Sequence, residues 1–267
     1  MLFRSILPQC IAWNSGVRKA AIIAGPALGG LIYLIGPVPA YAASALCFLC
    51  AGIFLAGIHL AHAALPAREP MTLQSLFGGI AFIRSKRVIL GAISLDLFAV
   101  LLGGATALLP VYARDILHAG PTGLGLLRAA PALGAVLISL VLVRLPLDRH
   151  VGRLMFASVA VFGAATVVFG LSEIFPLSFA ALMVLGAADM VSVVIRTSLV
   201  QLQTPDGMRG RVAAVSSIFT GTSNHLGQFE SGAVAALFGT EASVVIGGAG
   251  TLLVAALWIK WFPALWQ

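Results

Sequence analysis

Charged side chains are scarce in this sequence. Only 9% of the 267 residues are Asp, Glu, Lys or Arg, whereas about 25% is usual for a soluble domain. A folded chain of this composition cannot cover its surface with polar groups, which excludes an ordinary soluble protein. Since 60% of the residues are hydrophobic and the mean hydropathy is +1.05, the composition favours an integral membrane protein.

The sequence also lacks the usual signatures of enzymes. It contains neither a GxxxxGK[ST] phosphate-binding loop nor a GxSxG nucleophile motif. His59 and His62 are three residues apart but have no neighbouring carboxylate or cysteine to complete a metal site. Cys47 and Cys50 form a CxxC inside an apolar run, where small packing residues are the main interpretation and metal or redox chemistry the alternative. We therefore predict no enzymatic activity, no cofactor and no metal.

Long apolar runs recur from one end of the chain to the other. Each is long enough to cross the roughly 30 Å hydrocarbon core of a bilayer as a helix. They lack the apolar and polar alternation of membrane barrel strands. The sequence therefore predicts an all-α membrane protein with eight transmembrane helices, at about 16–35, 40–60, 88–109, 122–145, 154–171, 176–200, 212–238 and 242–262.

The cations follow the predicted topology. Arg114 alone is predicted on one side of the membrane, and Arg128 and Arg196 lie within spans. The positive-inside rule then places both termini in the cytoplasm. The net charge of +7 would otherwise suggest nucleic acid, but no folded polar face is predicted, so no nucleic-acid partner is expected. The cations predicted on the side of the N-terminus are Arg4, Arg18, Lys19, Arg68, Arg84, Lys86, Arg87, Arg144, Arg149, Arg153, Arg209, Arg211 and Lys260.

Residues 61–87 interrupt the series of spans. The stretch "MTLQSLFGGIAFIRSKR" spaces its apolar residues as on one face of a helix and ends in basic residues. It predicts an amphipathic helix on the cytoplasmic membrane surface, with a plain loop as the alternative. This linker divides the chain into residues 1–60, with two spans, and residues 88–267, with six.

The first span has an unusual composition, "AAIIAGPALGGLIYLIG" at residues 20–36. Gly25 and Gly29 share a helix face that allows close backbone contact, and Pro26 can bend the helix. At an offset of 202 residues, Gly25 aligns with Gly227 and Gly30 with Gly232. This weak repeat is what two parallel six-helix units would produce, the plan of the major facilitator transporters.

Several stretches resemble that superfamily directly. "GPALGG" (Gly25, Pro26, Gly29 and Gly30 with two neighbours) is similar to the core of the antiporter motif in the fifth helix of its exporters, with Ala21 where the family has a further glycine. Residues 94–117, 123–135 and 205–232 resemble helices seven, eight and eleven of the enterobactin-exporter-like branch. The stretch "DRHVGR" has one residue more than the superfamily's D-R-x-G-R loop motif.

The resemblance implies a function and a register. The eight predicted spans would be helices five to twelve, so that residues 1–60 hold the last two helices of the N-terminal half and residues 88–267 the C-terminal six-helix bundle. It implies a proton-coupled efflux permease of the bacterial inner membrane, whose partners are the lipid bilayer, protons and a small-molecule substrate such as a siderophore or drug-like compound. Because helices one to four would be missing, another polypeptide would have to supply them. The alternative is a truncated, transport-incompetent fragment with at most a structural role.

Ionisable residues within spans are the candidates for transport, because charge in a membrane is costly. By depth along their helices, Asp96 and Arg196 are predicted to form an inner pair, and Arg128 and Glu230 an outer pair. A purely structural neutralisation is the alternative for both pairs. Asp189 lies near mid-depth with no evident partner, so it is the predicted proton carrier unless it accepts hydrogen bonds from Ser192 or a neighbouring helix.

The predicted span 212–238 carries a polar cluster near its centre. Asn224 and His225 are its candidates for contact with a substrate. A lining that binds a polar substrate and hydrogen bonds between helices explain the cluster about equally well. The cluster consists of Thr222, Ser223, Asn224, His225, Gln228 and Glu230.

Overall fold

The computed structural model describes residues 35–57, 73–144 and 151–266, together with positions 21, 25, 28, 29 and 32. Gly25 and Gly29 are helical, whereas Pro26 and Gly30 lie outside the described residues. Most of the predicted span 16–35, His59 at the end of the predicted span 40–60 and His62 of the linker also lie outside them. The packing role predicted for the glycine motif therefore stays a prediction.

Helices make up almost all of the described chain. Between residues 102 and 120 the chain forms a 3₁₀ turn at Gly104–Leu108, a short α-helical turn at Leu109–Val111 and a π-helical turn at Tyr112–Ile116. No strand occurs among the described residues. The helices are α1 (Pro37–Ala56), α2 (Leu73–Ser85), α3 (Arg87–Leu102), α4 (Gly120–Arg144), α5 (Val151–Gly170), α6 (Phe175–Gln203), α7 (Asp206–Phe238), α8 (Thr240–Trp261) and α9 (Pro263–Trp266).

Six helices of the described chain are long and apolar enough to cross a bilayer. They are α1, α3 with its extension to Ile116, α4, α5, α6 and α8. Helix α7 covers the predicted span 212–238 and has 33 residues, but it is more polar than these six. The predicted all-α membrane fold is confirmed, whereas the predicted number of eight spans is not.

Helix α1 stands apart from the other helices. None of its apolar span is buried against the described residues, and Cys47 and Cys50 are both exposed. Its large apolar side chains, among them Phe48 and Phe54, are exposed as well. An apolar helix of this kind is stable where lipid or other protein covers it.

Helix α2 packs against protein with part of its apolar face. A side-chain atom added at Gly79 would lie 2.9 Å from Val215 and 3.1 Å from the carbonyl oxygen of Arg211, both in α7. Ile83 is buried in a cluster with Val212 and Val215, while Phe77 on the same helix is exposed. The segment is a helix as predicted, and the apolar pattern that suggested a membrane surface partly reflects contact with α7.

Glycines set the distances between the spanning helices. A side chain at Gly134 of α4 would collide with the carbonyl oxygen of Met183, and one at Gly186 of α6 would collide with that of Pro131. Helices α5 and α8 approach closely at Gly163 and Gly248 in the same way. Such small residues let helix backbones touch, which supplies van der Waals contact where lipid provides no hydrophobic driving force.

Aromatic side chains cluster where α8 ends. Trp258 lies 5.2 Å from Trp261 and also 5.2 Å from Phe98 between ring centroids, and its indole N–H donates a hydrogen bond of 2.9 Å to Ser94 Oγ. Trp266 of α9 packs against Phe156 at the start of α5, with the Arg153 guanidinium 5.8 Å from its ring. This cluster joins the C-terminal residues to α3 and α5.

Charges separate to the two ends of the bundle. One end holds most of the described cations. Helices α3, α5 and α7 begin at this end, α2 and α8 end there, and the cations lie in or beside these terminal turns. At the other end Arg114 pairs with Asp115 at 2.6 Å, Glu173 lies in the connection between α5 and α6, and Glu241 lies in the first turn of α8. The cations of the first end are Arg84, Lys86, Arg87, Arg153, Arg209, Arg211 and Lys260.

Substituting Gly186 with Ala should weaken the contact of α4 with α6. The added methyl group would overlap the Pro131 backbone, so we expect a loss of about 1–3 kcal/mol in unfolding free energy. Thermal unfolding of the purified protein in detergent measures the change. Gly232→Ala is the matched control, because its added methyl group meets no atom within 4 Å and alanine favours a helix by about 1 kcal/mol. Equal stability of the two variants would contradict the packing argument.

Candidate functional site

A buried ion pair joins α3 to α6. Arg196 Nη2 lies 3.0 Å from Asp96 Oδ2, and only 10% and 5% of the two side chains are exposed. Arg196 Nη1 also donates a hydrogen bond of 3.5 Å to Thr220 Oγ1 of α7. The structure therefore brings together the two residues predicted as the inner pair and connects them to a third helix.

The predicted outer pair is not formed. No ion pair joins Arg128 to Glu230 within 4.0 Å among the described residues. Arg128 lies on α4, which packs chiefly on α6, whereas Glu230 lies on α7, which packs on α3 and α8. The prediction was wrong because it used only the depth of each residue along its helix, and two residues at the same depth can lie on helices that are not neighbours.

A central cavity of about 430 Å³ lies between five helices. Its charged lining consists of Asp96 from α3, Arg128 from α4, and Asp189 and Arg196 from α6. Helix α7 adds Thr220, Asn224 and Gln228, and α5 adds Phe162. Two acidic and two basic side chains thus line one cavity, which opens to the surface of the described bundle, where Arg128 and Asn224 are exposed.

The polar cluster of α7 divides between two faces of its helix. Thr220, Asn224 and Gln228 are four residues apart and share the face that lines the cavity. Asn224 Nδ2 also donates a hydrogen bond of 2.9 Å to the carbonyl oxygen of Thr220. His225 and Glu230 are not part of the lining, and His225 is exposed. Of these candidates, the structure places Asn224 in the cavity.

A second cavity of about 440 Å³ continues toward the cationic end. It shares Arg196, Thr220 and Asn224 with the central cavity, so the ion pair lies where the two meet. The sequence analysis missed this cavity, although the hydroxyl groups at the start of α7 repeat with helical spacing toward Asn224. Its other polar lining residues are Thr197, Gln201, Thr204, Arg209, Ser216 and Ser217.

Asp189 lines the central cavity and is half-buried. It forms no ion pair within the described part of the chain. The hydrogen bond considered from Ser192 is not formed either, since Ser192 Oγ is buried and has no partner among the described residues. Asp189 is therefore the carboxyl group of the cavity that no cation neutralises by direct contact.

Replacing Arg196 with Gln should destabilise the protein more than replacing both members of its ion pair. The single change leaves the Asp96 carboxylate buried without a cation, which costs about 3–5 kcal/mol. Asp96→Asn with Arg196→Gln removes both charges and should recover most of that loss. Together with Asp96→Asn alone, these two variants form a double-mutant cycle, in which the unfolding free energy is measured in detergent. If the losses of the two single variants add up to that of the double variant, the pair is not coupled.

Comparison with known proteins agrees with this architecture. A family model described as transmembrane secretion effector matches residues 1–264. The enterobactin exporter EntS of Citrobacter koseri is 29% identical over 248 residues, and those of Escherichia coli O139:H28 and Shigella boydii serotype 18 are 28% identical. Each alignment covers 90% of this chain and 58% of the exporter, so the chain spans less than two thirds of the length of these relatives. The chain belongs to the transmembrane secretion effector family of the major facilitator superfamily.

Proposed function

We propose that the protein acts in proton-coupled export of a small molecule and that the central cavity is its binding site. The observation that carries this proposal is the meeting of Asp96, Arg128, Asp189 and Arg196 around one cavity. Charged groups in a membrane interior are costly and mark substrate or ion pathways. These four charged residues come from three helices. Neutralising the charge at a single helix contact would need only one ion pair.

Asp189 is the proposed proton carrier. It has no cation in direct contact, whereas Asp96 is held by Arg196 at 3.0 Å. A carboxyl group that binds a proton on one side of the membrane and releases it on the other carries no net charge during the return step. Export would then proceed with the substrate bound and return with Asp189 protonated, which is antiport.

The substrate class follows from the two cavities. Each has about the volume of a site for a drug-sized molecule. Hydroxyl, amide and guanidinium groups line both, which favours a substrate with many hydrogen-bonding groups. The relatives are named as exporters of enterobactin, and a siderophore or drug-like compound is the substrate that we propose here.

Transport of this type requires a second helical unit. Alternating access arises when two bundles rock around a site between them. We propose that residues 88–267 form one bundle, that residues 61–87 link it to residues 1–60, and that further helices from the facing half complete the site. The cationic end faces the bacterial cytoplasm in this proposal, in accordance with the positive-inside rule, and both termini lie there.

Asp189→Asn should abolish proton-driven efflux while the protein remains at normal abundance in the membrane. The asparagine side chain keeps the size and polarity of aspartate but cannot exchange a proton. Efflux of a catechol siderophore and of a cationic dye from preloaded cells, with and without a protonophore, measures the effect. Glu173→Gln is the matched control, because Glu173 is exposed in a helix connection away from the cavity.

The same experiment decides against the proposal if Asp189→Asn exports like the wild type. Absence of export by the wild type for every substrate would favour a structural role instead.

An antibody against the C-terminal residues, used on membranes of the source cells, gives the size of the native product. A band at 27.6 kDa would direct the search to a partner polypeptide, and a larger band would assign the transport activity to a longer chain.

A further inference from the structure

A small internal space lies beside the central cavity. Its volume is about 10 Å³, close to the roughly 10–15 Å³ that one water molecule needs by this measure. Asp96 and Asp189 line both the space and the central cavity, whereas Ser192 lines only the space. Its other lining residues are Ala99, Val100, Val159, Phe162 and Ala188.

Ser192, like Thr204, differs from the other buried hydroxyl residues among the described residues. Ser158 donates to the carbonyl oxygen of Met155 at 2.8 Å, and Thr166 donates to that of Phe162 at 2.8 Å. Bonds of this kind to a preceding carbonyl are the usual way for a hydroxyl group in a membrane helix to be satisfied. Ser192 is only 4% exposed, and its Oγ has no partner among the described residues. A buried hydroxyl group without a partner is costly, which indicates that the space beside Ser192 holds a ligand.

We infer that one water molecule binds in this space and bridges Asp96 to Asp189. The water oxygen would accept the hydrogen bond of the Ser192 hydroxyl group, and its two O–H groups would donate to the two carboxylates. This arrangement satisfies Ser192 and gives the water three hydrogen bonds, the usual number for a buried water. The space is apolar on its remaining sides, so these three groups determine the orientation of the water.

The bridging water gives protons a path between the two carboxyl groups. When Asp189 is protonated, its O–H bond breaks as the proton passes to the water, and one O–H bond of the water breaks as its proton passes to Asp96. The net change is a proton moved from Asp189 to Asp96, with the water unchanged. A neutral Asp96 no longer holds Arg196 by charge, so the guanidinium becomes available to the two cavities that meet there.

This inference rests on the proposed function of Asp189 and extends it. Proton arrival at Asp189 is thereby linked to release of the ion pair between α3 and α6. The charged groups that face the two carboxyl groups are Arg196 of α6 and Arg128 of α4. Among the described lining residues of the cavity and the space, α5 and α7 add no charged side chain.

Infrared titration of the full chain in lipid nanodiscs tests the bridge. The carbonyl stretch of protonated carboxyl groups is followed against pH and assigned with Asp96→Asn and Asp189→Asn. We expect Ser192→Ala to release the water, and with it the hydrogen bonds that the water donates to the carboxylates. The midpoints of the pair should then shift by about one pH unit, a tenfold change in proton affinity, which is the scale of one hydrogen bond to a charged group. Ser158→Ala is the control and should leave both midpoints unchanged, because its hydroxyl group bonds within its own helix.

A second variant fills the space without removing the hydroxyl group. Ala188→Val adds two methyl groups at a lining position and should produce a midpoint shift in the direction of Ser192→Ala. Wild-type midpoints in Ser192→Ala overturn the inference whether or not Ala188→Val folds. A midpoint in the wild type that depends on NaCl against choline chloride also overturns it, because a sodium ion would then occupy the space.

The titration and the transport assay test the water bridge and the proposed function separately, so one can be rejected without the other. Unshifted midpoints together with loss of efflux in Asp189→Asn would reject the water bridge and leave the proposed function in place. Shifted midpoints together with wild-type efflux in Asp189→Asn would reject Asp189 as the proton carrier, and with it the role of the bridge in transport.

Discussion

Direct contact between helix backbones at glycine is the constraint on which this structure depends. Lipid chains are as apolar as leucine, so spanning helices associate through close packing and hydrogen bonds. The carbonyl oxygens of Pro131 and Met183 lie where side chains at Gly186 and Gly134 would be, and this sets the spacing of α4 and α6. Helix α6 carries Asp189 and Arg196, so the position of the charged site depends on residues that have no chemistry of their own.

The buried ion pair has two roles that are compatible. It neutralises two charges that the membrane interior would otherwise disfavour, and it joins α3 to α6 where two cavities meet. In the proposed export cycle, the ion pair would be formed in one conformation and broken in another. A hydrogen-bonded pair beside a polar cavity meets this requirement better than an apolar contact, because protonation of one member changes its strength.

Periodicity and apolar length were enough to predict the fold class and most of the helices. Depth along each helix was enough to pair Asp96 with Arg196, because α3 and α6 are in contact. The same reasoning failed for Arg128 and Glu230, since depth carries no information about which helices are neighbours. The division of the α7 polar residues between two faces was accessible from the four-residue spacing of Thr220, Asn224 and Gln228. The sequence could not show that the Ser192 hydroxyl group lacks a hydrogen-bond partner, because this depends on how the helices pack.

The aromatic cluster at the end of α8 has a consequence for spectroscopy. The sequence contains four tryptophans, and three of them, Trp258, Trp261 and Trp266, lie at this end of the bundle. The fourth, Trp13, lies outside the described residues. Trp258 and Trp266 both pack against other aromatic rings, and Trp258 donates its indole N–H to Ser94. The intrinsic fluorescence of the described chain therefore reports on how the C-terminal residues dock onto α3 and α5, and a tryptophan introduced beside the cavity would give a separate signal for ligand entry.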